Sequence, residues 1–267
     1  MENNVRYMES CGAGERAGLY YTCINSYLTA DELAYIVNNS ESRFLITSQA
    51  LRDVALAALA KCPNVRLCLI TDGPGESTAV VNLDEGTAAF PDQPIGDEFR
   101  GLAMLYSSGT TGKPKGILRP MGRAAPDESS PLHKFLQKLW RYREGMTFLA
   151  PAPLYHSAPQ ASVNFTIRFG GTNIIMERFD PENYLALVEK YQITLSQLVP
   201  TMFSRMLKLP PETRQRFDLS SLEFAVHAAA PCPIQVKKQM IDWWGPIIHE
   251  FYGATEGHGF TACNAAE

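Results

Sequence analysis

The residues between positions 102 and 116 form a dense group of side chains that could bind anions. The stretch reads LAMLYSSGTTGKPKG, in which an apolar run ends abruptly in hydroxyl residues, glycines and two lysines. Backbone N–H groups, hydroxyls and ammonium groups at such a turn can bind the oxygens of a polyphosphate together, and glycine lets a ligand approach the backbone closely. The predicted phosphate-binding loop consists of Ser107, Ser108, Gly109, Thr110, Thr111, Gly112, Lys113, Lys115 and Gly116.

The spacing within this loop excludes a Walker-type P-loop. That motif needs four residues between its first glycine and the Gly-Lys pair, and then Ser or Thr. Here two residues separate Gly109 from Gly112, and Pro114 follows Lys113. The alternative is a surface linker, since Gly, Ser and Lys are common in loops. The density of these residues directly after an apolar strand favours the binding loop.

A histidine follows a second predicted strand, in the stretch PAPLYHSAP at positions 151–159. A side chain directly after a strand lies where open α/β sheets bind ligands. Taken alone, His156 is more often a hydrogen-bonded structural residue than a catalytic one. Both interpretations remain open on these residues.

The stretch YGATEG at positions 252–257 combines an aromatic ring, a hydroxyl and a carboxylate after a third predicted strand. Tyr252 could stack on a base and Thr255 could donate to a phosphate, while Glu256 is a hard oxygen ligand suited to Mg²⁺. A stretch of six residues with this composition can equally be a simple turn.

The three stretches together resemble the adenylate-forming superfamily, which includes acyl-CoA synthetases, peptide-synthetase adenylation domains and luciferases. YSSGTTGKPKG is similar to its signature loop, which grips the β- and γ-phosphates of ATP. The early segment GLYYTCINSYLTADELAYIVNNSESRFLITS and the later PAPLYHSAP and YGATEG stretches look closest to acyl-CoA synthetases for fatty or related acids.

The resemblance implies a role for each candidate residue. Tyr252 and Gly253 would contact adenine, Thr255 the α-phosphate, and Glu256 a magnesium ion, while His156 would position the carboxylate substrate. A turn that often carries glycine in the family would lie along adenine and the acyl tunnel. Alanines in this turn depart from the common pattern; its predicted site residues are Ala229, Ala230 and Pro231.

The resemblance also implies a reaction and its substrates: a small-molecule carboxylic acid, ATP with Mg²⁺, and coenzyme A. The acid would attack the α-phosphorus of ATP to give an acyl-adenylate, and the CoA thiol would then form a thioester. Phosphate charge in such a displacement must be neutralised by metal, lysine and backbone N–H groups. The alternatives are another adenylate-former, such as an amino-acid adenylation domain, and a catalytically inactive nucleotide-binding fragment.

The expected fold is α/β, with mostly parallel βαβ sheets flanked by helices, and forms part of the N-terminal domain of the adenylate-forming fold. No later Tyr-x-x-Gly-Asp stretch, hinge or C-terminal domain with a catalytic lysine is found, so we expect a chain truncated at both ends. The expected division is an early βα region at 1–98 and a nucleotide- and acyl-site region at 99–267. Unpartnered sheet edges of such a chain would favour self-association, so a homo-oligomer is one expected state.

Composition, net charge and cysteine spacing argue against several classes of protein. The chain has 267 residues, a net charge of −4 and no basic stripe, which argues against a nucleic-acid surface. Neither a signal peptide nor a membrane-spanning run is present, so a cytoplasmic protein is expected. The six cysteines form no Cys-x-x-Cys pair, which argues against a zinc or disulfide framework.

Periodicity and capping signals predict the elements that position these stretches. Thr29 and Glu32 have capping-box spacing before a helix at 29–38, Ser48 is predicted to cap a helix that reaches Lys61, and Asp180 with Pro181 begins another. No element is predicted before residue 19, and 82–97 is predicted to be a connector. Further helices are predicted at 132–141, from Pro200, and at 233–244, and strands at 43–47, 65–70, 146–150, 172–176, 193–199, 222–230 and 247–251.

Overall fold

A computed structural model describes residues 1–107, 112–257 and 259–267. The chain forms two compact units, residues 1–128 and 129–267. The division predicted from the sequence, 1–98 and 99–267, stays a prediction. Within the described residues, no helix has the length and apolar character needed to cross a bilayer.

The first unit contains small parallel sheets and the helices that connect their strands. Its helices are α1 Val5–Arg16, α2 Ala30–Asn39, α3 Arg52–Leu59 and α4 Leu83–Thr87. Its strands are β1 Tyr20–Tyr21, β2 Phe44–Ser48, β3 Leu67–Thr71, β4 Val80–Asn82, β5 Leu102–Ala103, β6 Leu105–Ser107 and β7 Lys115–Ile117. Strands β2, β3 and β4 form one parallel sheet, β1 and β5 form a parallel pair, and β6 and β7 form an antiparallel hairpin.

The capping signals of this unit are confirmed in one case and wrong in another. The Thr29 hydroxyl accepts from the Glu32 N–H, and the Glu32 carboxylate accepts from the Thr29 N–H at 2.8 Å, as a capping box requires. Ser48 does not cap a long helix. Its hydroxyl donates to Glu2 at 2.5 Å, and a 3-10 turn, Gln49–Leu51, precedes the shorter α3.

Two elements were missed in this unit. The prediction that nothing regular precedes residue 19 is wrong, because α1 begins after Asn4, whose side chain accepts from the Tyr7 N–H at 2.9 Å. The predicted connector 82–97 contains the short helix α4, and the Asn82 side chain caps it by accepting from the Glu85 N–H.

The second unit is one six-stranded sheet with helices between its strands. Its helices are α5 Pro131–Trp140, α6 Ser157–Arg168, α7 Pro181–Tyr191, α8 Pro200–Leu207, α9 Pro211–Arg214 and α10 Ile234–Trp244. Its strands are β8 Thr147–Ala150, β9 Thr172–Ile175, β10 Leu195–Leu198, β11 Phe224–His227, β12 Ile248–Gly253 and β13 Phe260–Cys263.

The strand order of this sheet is β13-β12-β11-β10-β8-β9, and every neighbouring pair is parallel except β12 with β13. The chain moves from β8 to β9 on one side and then returns to β10 on the other side of β8. Ligands bind open α/β sheets outside the carboxyl ends of the strands, at such a reversal. The predicted α/β fold with mostly parallel sheets is confirmed.

The core of the second unit lies between the sheet and helices α7, α8 and α10. The Asp180 side chain accepts from the Asn183 N–H at 2.8 Å and Pro181 opens α7, as predicted. The methionine and aromatic stripe of α8 was predicted to be core, and Met202, Phe203 and Met206 are buried. Burial of these side chains stabilises the sheet whose strand ends carry the candidate site.

Candidate functional site

The predicted phosphate-binding loop is the connection of the β6–β7 hairpin. Ser107 pairs with Lys115 and Tyr106 with Gly116, so the two ends of the loop are held in register. Four predicted loop residues lie outside the described part of the chain: Ser108, Gly109, Thr110 and Thr111. Gly112 has a φ of 90°, which favours glycine over any other residue at this end of the loop.

Two side chains of helix α2, one turn apart, form hydrogen bonds with the two sides of this hairpin. The Tyr106 hydroxyl donates to the Asn39 side-chain oxygen at 2.6 Å. The Tyr35 hydroxyl donates to the Pro114 carbonyl at 3.1 Å. Neither α2 residue was predicted to belong to the site; the only available signal was their i, i+4 spacing on one helix face.

The lysines of the loop present exposed positive charge. Lys113 and Lys115 are exposed, and Lys113 Nζ lies 5.1 Å from the centre of the Tyr35 ring, as in a cation–π contact. Within residues 1–107 and 112–128, neither lysine forms an ion pair with a carboxylate. Their ammonium groups are therefore available to an anionic ligand.

In the second unit, three predicted stretches leave the same edge of the sheet. The stretch at 151–159 follows β8, residues 228–231 follow β11, and 252–257 includes the end of β12. Because these strands are parallel, their carboxyl ends meet at one edge.

One hydrogen bond joins two of these stretches directly. The hydroxyls of Ser157 and Thr255 lie 3.1 Å apart, although the residues are 98 positions apart in sequence. Ser157 is the first residue of α6, a helix that the sequence analysis did not identify. The structure therefore brings the predicted residue Thr255 against the stretch that contains His156.

His156 lies beside this contact at the N-terminal end of α6. Its ring centre is 4.5 Å from that of Tyr155, and its side chain does not cap the helix. Although the residue remains exposed, partial desolvation lowers the pKa of His156 below its ordinary value. The neutral imidazole is thus favoured near neutral pH, which suits a hydrogen-bonding role.

The turn after β11 contains a strained alanine. Ala229 has a φ of 77°, a conformation that costs an L-residue about 1–2 kcal/mol relative to the right-handed region. The three predicted residues of this turn, Ala229, Ala230 and Pro231, are exposed. A glycine would adopt this φ without strain, which gives a physical reason for the glycine expected here from the family pattern.

The end of β12 exposes an aromatic ring and a carboxylate. Tyr252 is 76% exposed, and Gly253 pairs with Phe260 of β13. Glu256 is exposed in the turn that follows, and among residues 129–257 and 259–267 it forms no ion pair. A free ring face and an unpaired carboxylate can accept a base and a hydrated cation.

A buried histidine beneath this edge was missed by the sequence analysis. His227 ends β11 directly before the alanine turn, its side chain is fully buried, and neither ring nitrogen has a hydrogen-bond partner. Its Nε2 lies 3.7 Å from a Glu250 oxygen, and that carboxylate accepts from Lys237 Nζ at 2.7 Å. Burial lowers the pKa of His227 to about 4; Glu250 opposes this shift and Lys237 adds to it.

No cluster of three or more His, Cys, Asp or Glu side chains in the described residues could enclose a metal ion. An ion held by Glu256 would therefore need its remaining ligands from water and phosphate, which is how Mg²⁺ commonly binds beside a nucleotide.

The comparisons with known proteins cover nearly all of the chain or all of it. The family model described as AMP-binding enzyme matches residues 1–267. The chain is 30% identical over 266 residues to a medium/long-chain-fatty-acid–CoA ligase of Mycobacterium tuberculosis, covering 95% of this chain and 44% of that protein. It is 29% identical to acyl-CoA synthetase 7 of Caenorhabditis elegans, covering 95% of this chain and 48% of the relative.

A solved structure resembles this chain over nearly its whole length. ATP-bound MatB from Rhodopseudomonas palustris matches with a TM-score of 0.70 and 25% identity, over 94% of this chain and 48% of that chain. The chain spans about half the length of the curated relatives it matches.

Proposed function

The chain belongs to the AMP-binding enzyme family, and we propose that it carries the nucleotide- and acyl-binding part of an AMP-forming carboxylic acid–CoA ligase. The observation that carries the proposal is the contact between Ser157 and Thr255 at the carboxyl edge of the sheet. This contact supports the proposal, because Thr255 could donate to a phosphate and the stretch that begins α6 follows the histidine that could position a carboxylate.

In this proposal the exposed groups of the second unit bind the reacting parts of ATP and the acid. Tyr252 stacks on adenine, Thr255 donates to the α-phosphate, and the alanine turn lies along the adenine and the acyl group. His156, as a neutral imidazole, positions the carboxylate for in-line attack on the α-phosphorus. Such positioning can supply a large part of the barrier reduction.

The charged groups neutralise the triphosphate. Lys113 and Lys115 act on the β- and γ-phosphates with the loop that they close. Glu256 would hold Mg²⁺, which would supply charge neutralisation for the phosphates. Pyrophosphate leaves as the acyl-adenylate forms, and the CoA thiol then attacks the acyl carbonyl and releases AMP.

The acid is proposed to be a fatty acid or a related acid. Two relatives support this choice by their names, a medium/long-chain-fatty-acid–CoA ligase and an acyl-CoA synthetase. We further propose a cytoplasmic location, where ATP and CoA are available, and self-association through unpaired sheet edges. An amino-acid adenylation domain is the competing enzyme class.

Calorimetry with ATP and Mg²⁺ tests the nucleotide site in this chain. Glu256→Gln should weaken magnesium-dependent ATP binding at least tenfold, because the neutral amide is a poor ligand for a hard cation. Glu212→Gln is the matched control, since Glu212 is an exposed residue of α9 and lies far from this turn in sequence. Equal ATP affinity of the Glu256 variant and the parent would remove Glu256 from the site.

Pyrophosphate exchange with a panel of acids tests the substrate class. Exchange that depends on fatty acids supports the ligase, and exchange that depends on amino acids supports the adenylation domain. ATP binding without exchange for any acid would support the inactive nucleotide-binding alternative. Absence of ATP binding would overturn the proposal for this chain.

A further inference from the structure

The first unit contains a cavity of about 400 Å³ that is remote in sequence from all the predicted site residues. Its walls come from residues 1–69, and they include both β1 and β2. Apolar side chains of three helices complete the walls, among them Ala13 of α1, Leu33 and Val37 of α2, and Val54 and Ala55 of α3. The cavity is therefore lined by β1, by β2 and by helices α1, α2 and α3.

Among the described residues, no strand pairs with the edge of β1 that faces this cavity. The carbonyls of Leu19 and Tyr21 accept from the N–H groups of Leu102 and Met104 on the β5 side. Because backbone groups of successive residues point to opposite edges of a strand, those of Tyr20 and Thr22 point away from β5. Residues 20 and 22 both line the cavity.

The facing edge of β2 is open in the same way. The Arg43 carbonyl accepts from the Arg66 N–H at 2.8 Å on the β3 side. By the same alternation, the backbone groups of Phe44 and Ile46 point away from β3, and both residues line the cavity. In the described residues, β1 has β5 as its only neighbour and β2 has β3.

The connection between these strands indicates that they are parallel members of one interrupted sheet. β1 leads through α2 to β2, which is the type of crossover that joins parallel strands. An intervening strand would complete the order β5-β1-X-β2-β3-β4, where X is the added strand. Without this strand, two large apolar residues that line the cavity stay exposed: Leu19 is 49% exposed and Phe44 is 56% exposed.

We propose that this cavity is an acceptor site for one extended apolar polypeptide strand, parallel to β1 and β2. The backbone of the strand would pair with Tyr20 and Thr22 on one side and with Phe44 and Ile46 on the other. Its side chains would be apolar in a continuous run, as in parallel strands that are covered on both faces. β2, at five residues, sets the length of the run at about five.

The comparisons are consistent with such an occupant. The curated relatives contain about as many residues again outside the part that this chain matches. These two relatives therefore contain further polypeptide that could supply such a strand. The proposal does not depend on the proposed ligase activity, because no candidate catalytic residue lines the cavity.

Binding of a labelled synthetic peptide tests this proposal. The probe is blocked at both ends and carries five valine and isoleucine residues between two lysines. Its control is the same peptide with N-methyl groups on alternate residues, which removes backbone donors and keeps the apolar side chains. Fluorescence anisotropy should show at least tenfold weaker binding of the methylated peptide.

A variant of the acceptor edge provides a second test. Thr22→Pro removes an N–H donor that points into the cavity, and an edge position tolerates proline. We expect it to weaken binding of the probe at least tenfold, while Thr22→Val, which keeps the N–H, leaves binding unchanged. Should the proline variant fail to fold, the peptide comparison and hydrogen exchange of the parent chain still decide the matter.

Hydrogen exchange of the parent chain locates the binding. The probe should slow amide exchange at Tyr20, Thr22, Phe44 and Ile46 at least tenfold, because the N–H groups of these residues point towards the cavity. Equal binding of both peptides, exchange unchanged at these residues, or displacement of the probe by decanoic acid would overturn the proposal. The last result would make the cavity a site for small apolar ligands.

Discussion

The buried His227 predicts how the stability of the second unit depends on pH. Its side chain is fully buried, and burial lowers its pKa from 6.5 to about 4 in the folded chain. The folded state therefore keeps this imidazole neutral at pH values where the unfolded chain protonates it. Folding stability should fall as the pH drops below 6.5 and should stop falling, for this group, below about 4.

The magnitude follows from the two pKa values. Between pH 7 and pH 5, the free energy of unfolding should fall by about 2 kcal/mol through this histidine alone. His227→Leu removes the titrating group and fills the site with an apolar side chain against the Phe203 ring. We expect the variant to lose this part of the pH dependence and to remain folded, since the removed ring nitrogens have no hydrogen-bond partner.

Urea unfolding followed by tryptophan fluorescence measures the pH dependence of stability in the second unit, which contains His227. All three tryptophans, Trp140, Trp243 and Trp244, lie between residues 129 and 267. The control is His249→Leu on the neighbouring strand, where partial burial also lowers the pKa. It should flatten the profile less than His227→Leu, because His249 is only half-buried. Parallel pH profiles for the parent and His227→Leu would refute the reasoning.

Two further predictions concern the first unit. A Cβ at Gly101 would lie 2.2 Å from the Gly14 carbonyl oxygen and 2.5 Å from that of Leu19, so Gly101→Ala should lower the free energy of unfolding by about 3 kcal/mol or more. The control is Gly96→Ala, where the added Cβ meets open space, and it should change the free energy of unfolding by less than about 0.5 kcal/mol. Urea titrations followed by circular dichroism measure both values. Thr29→Ala should cost about 1 kcal/mol by the same measurement through loss of the capping box, and Thr29→Ser, which keeps a hydroxyl, should cost less; equal losses for both would show that the cap contributes nothing.

The fold could be predicted where local signals were strong. The Thr29 capping box and the Asp180–Pro181 start were recognised because the residues that stabilise each helix end are neighbours in sequence. Helix α1 was missed because its sequence, VRYMESCGAGER, includes two glycines and few large apolar residues, and its burial depends on packing partners from elsewhere in the chain. Ser48 was misread because a distant residue, Glu2, accepts its hydroxyl.

In the candidate site too, residues that are neighbours in sequence could be predicted and contacts between distant residues could not. The groups predicted to touch a ligand lie in short runs near strand ends, so Lys113, His156 and Glu256 are candidates from the sequence alone, and their roles stay predictions. The residues that contact and position those runs belong to other elements, and each element contributes a single residue or two. Ser157 meets Thr255 across 98 positions of sequence, and Tyr35 reaches Pro114 across 79, distances over which residue spacing predicts no contact.

His227 shows that a sequence signal was nevertheless present for one supporting residue. A histidine that ends the apolar strand FAVH occupies a position that polar side chains rarely fill without a partner. Its neighbours Glu250 and Lys237 come from β12 and α10, so the interaction spans the two elements that follow the alanine turn. His227 lies two positions before Ala229 and Glu250 two positions before Tyr252, so this interaction adjoins two of the proposed adenine-binding stretches in sequence.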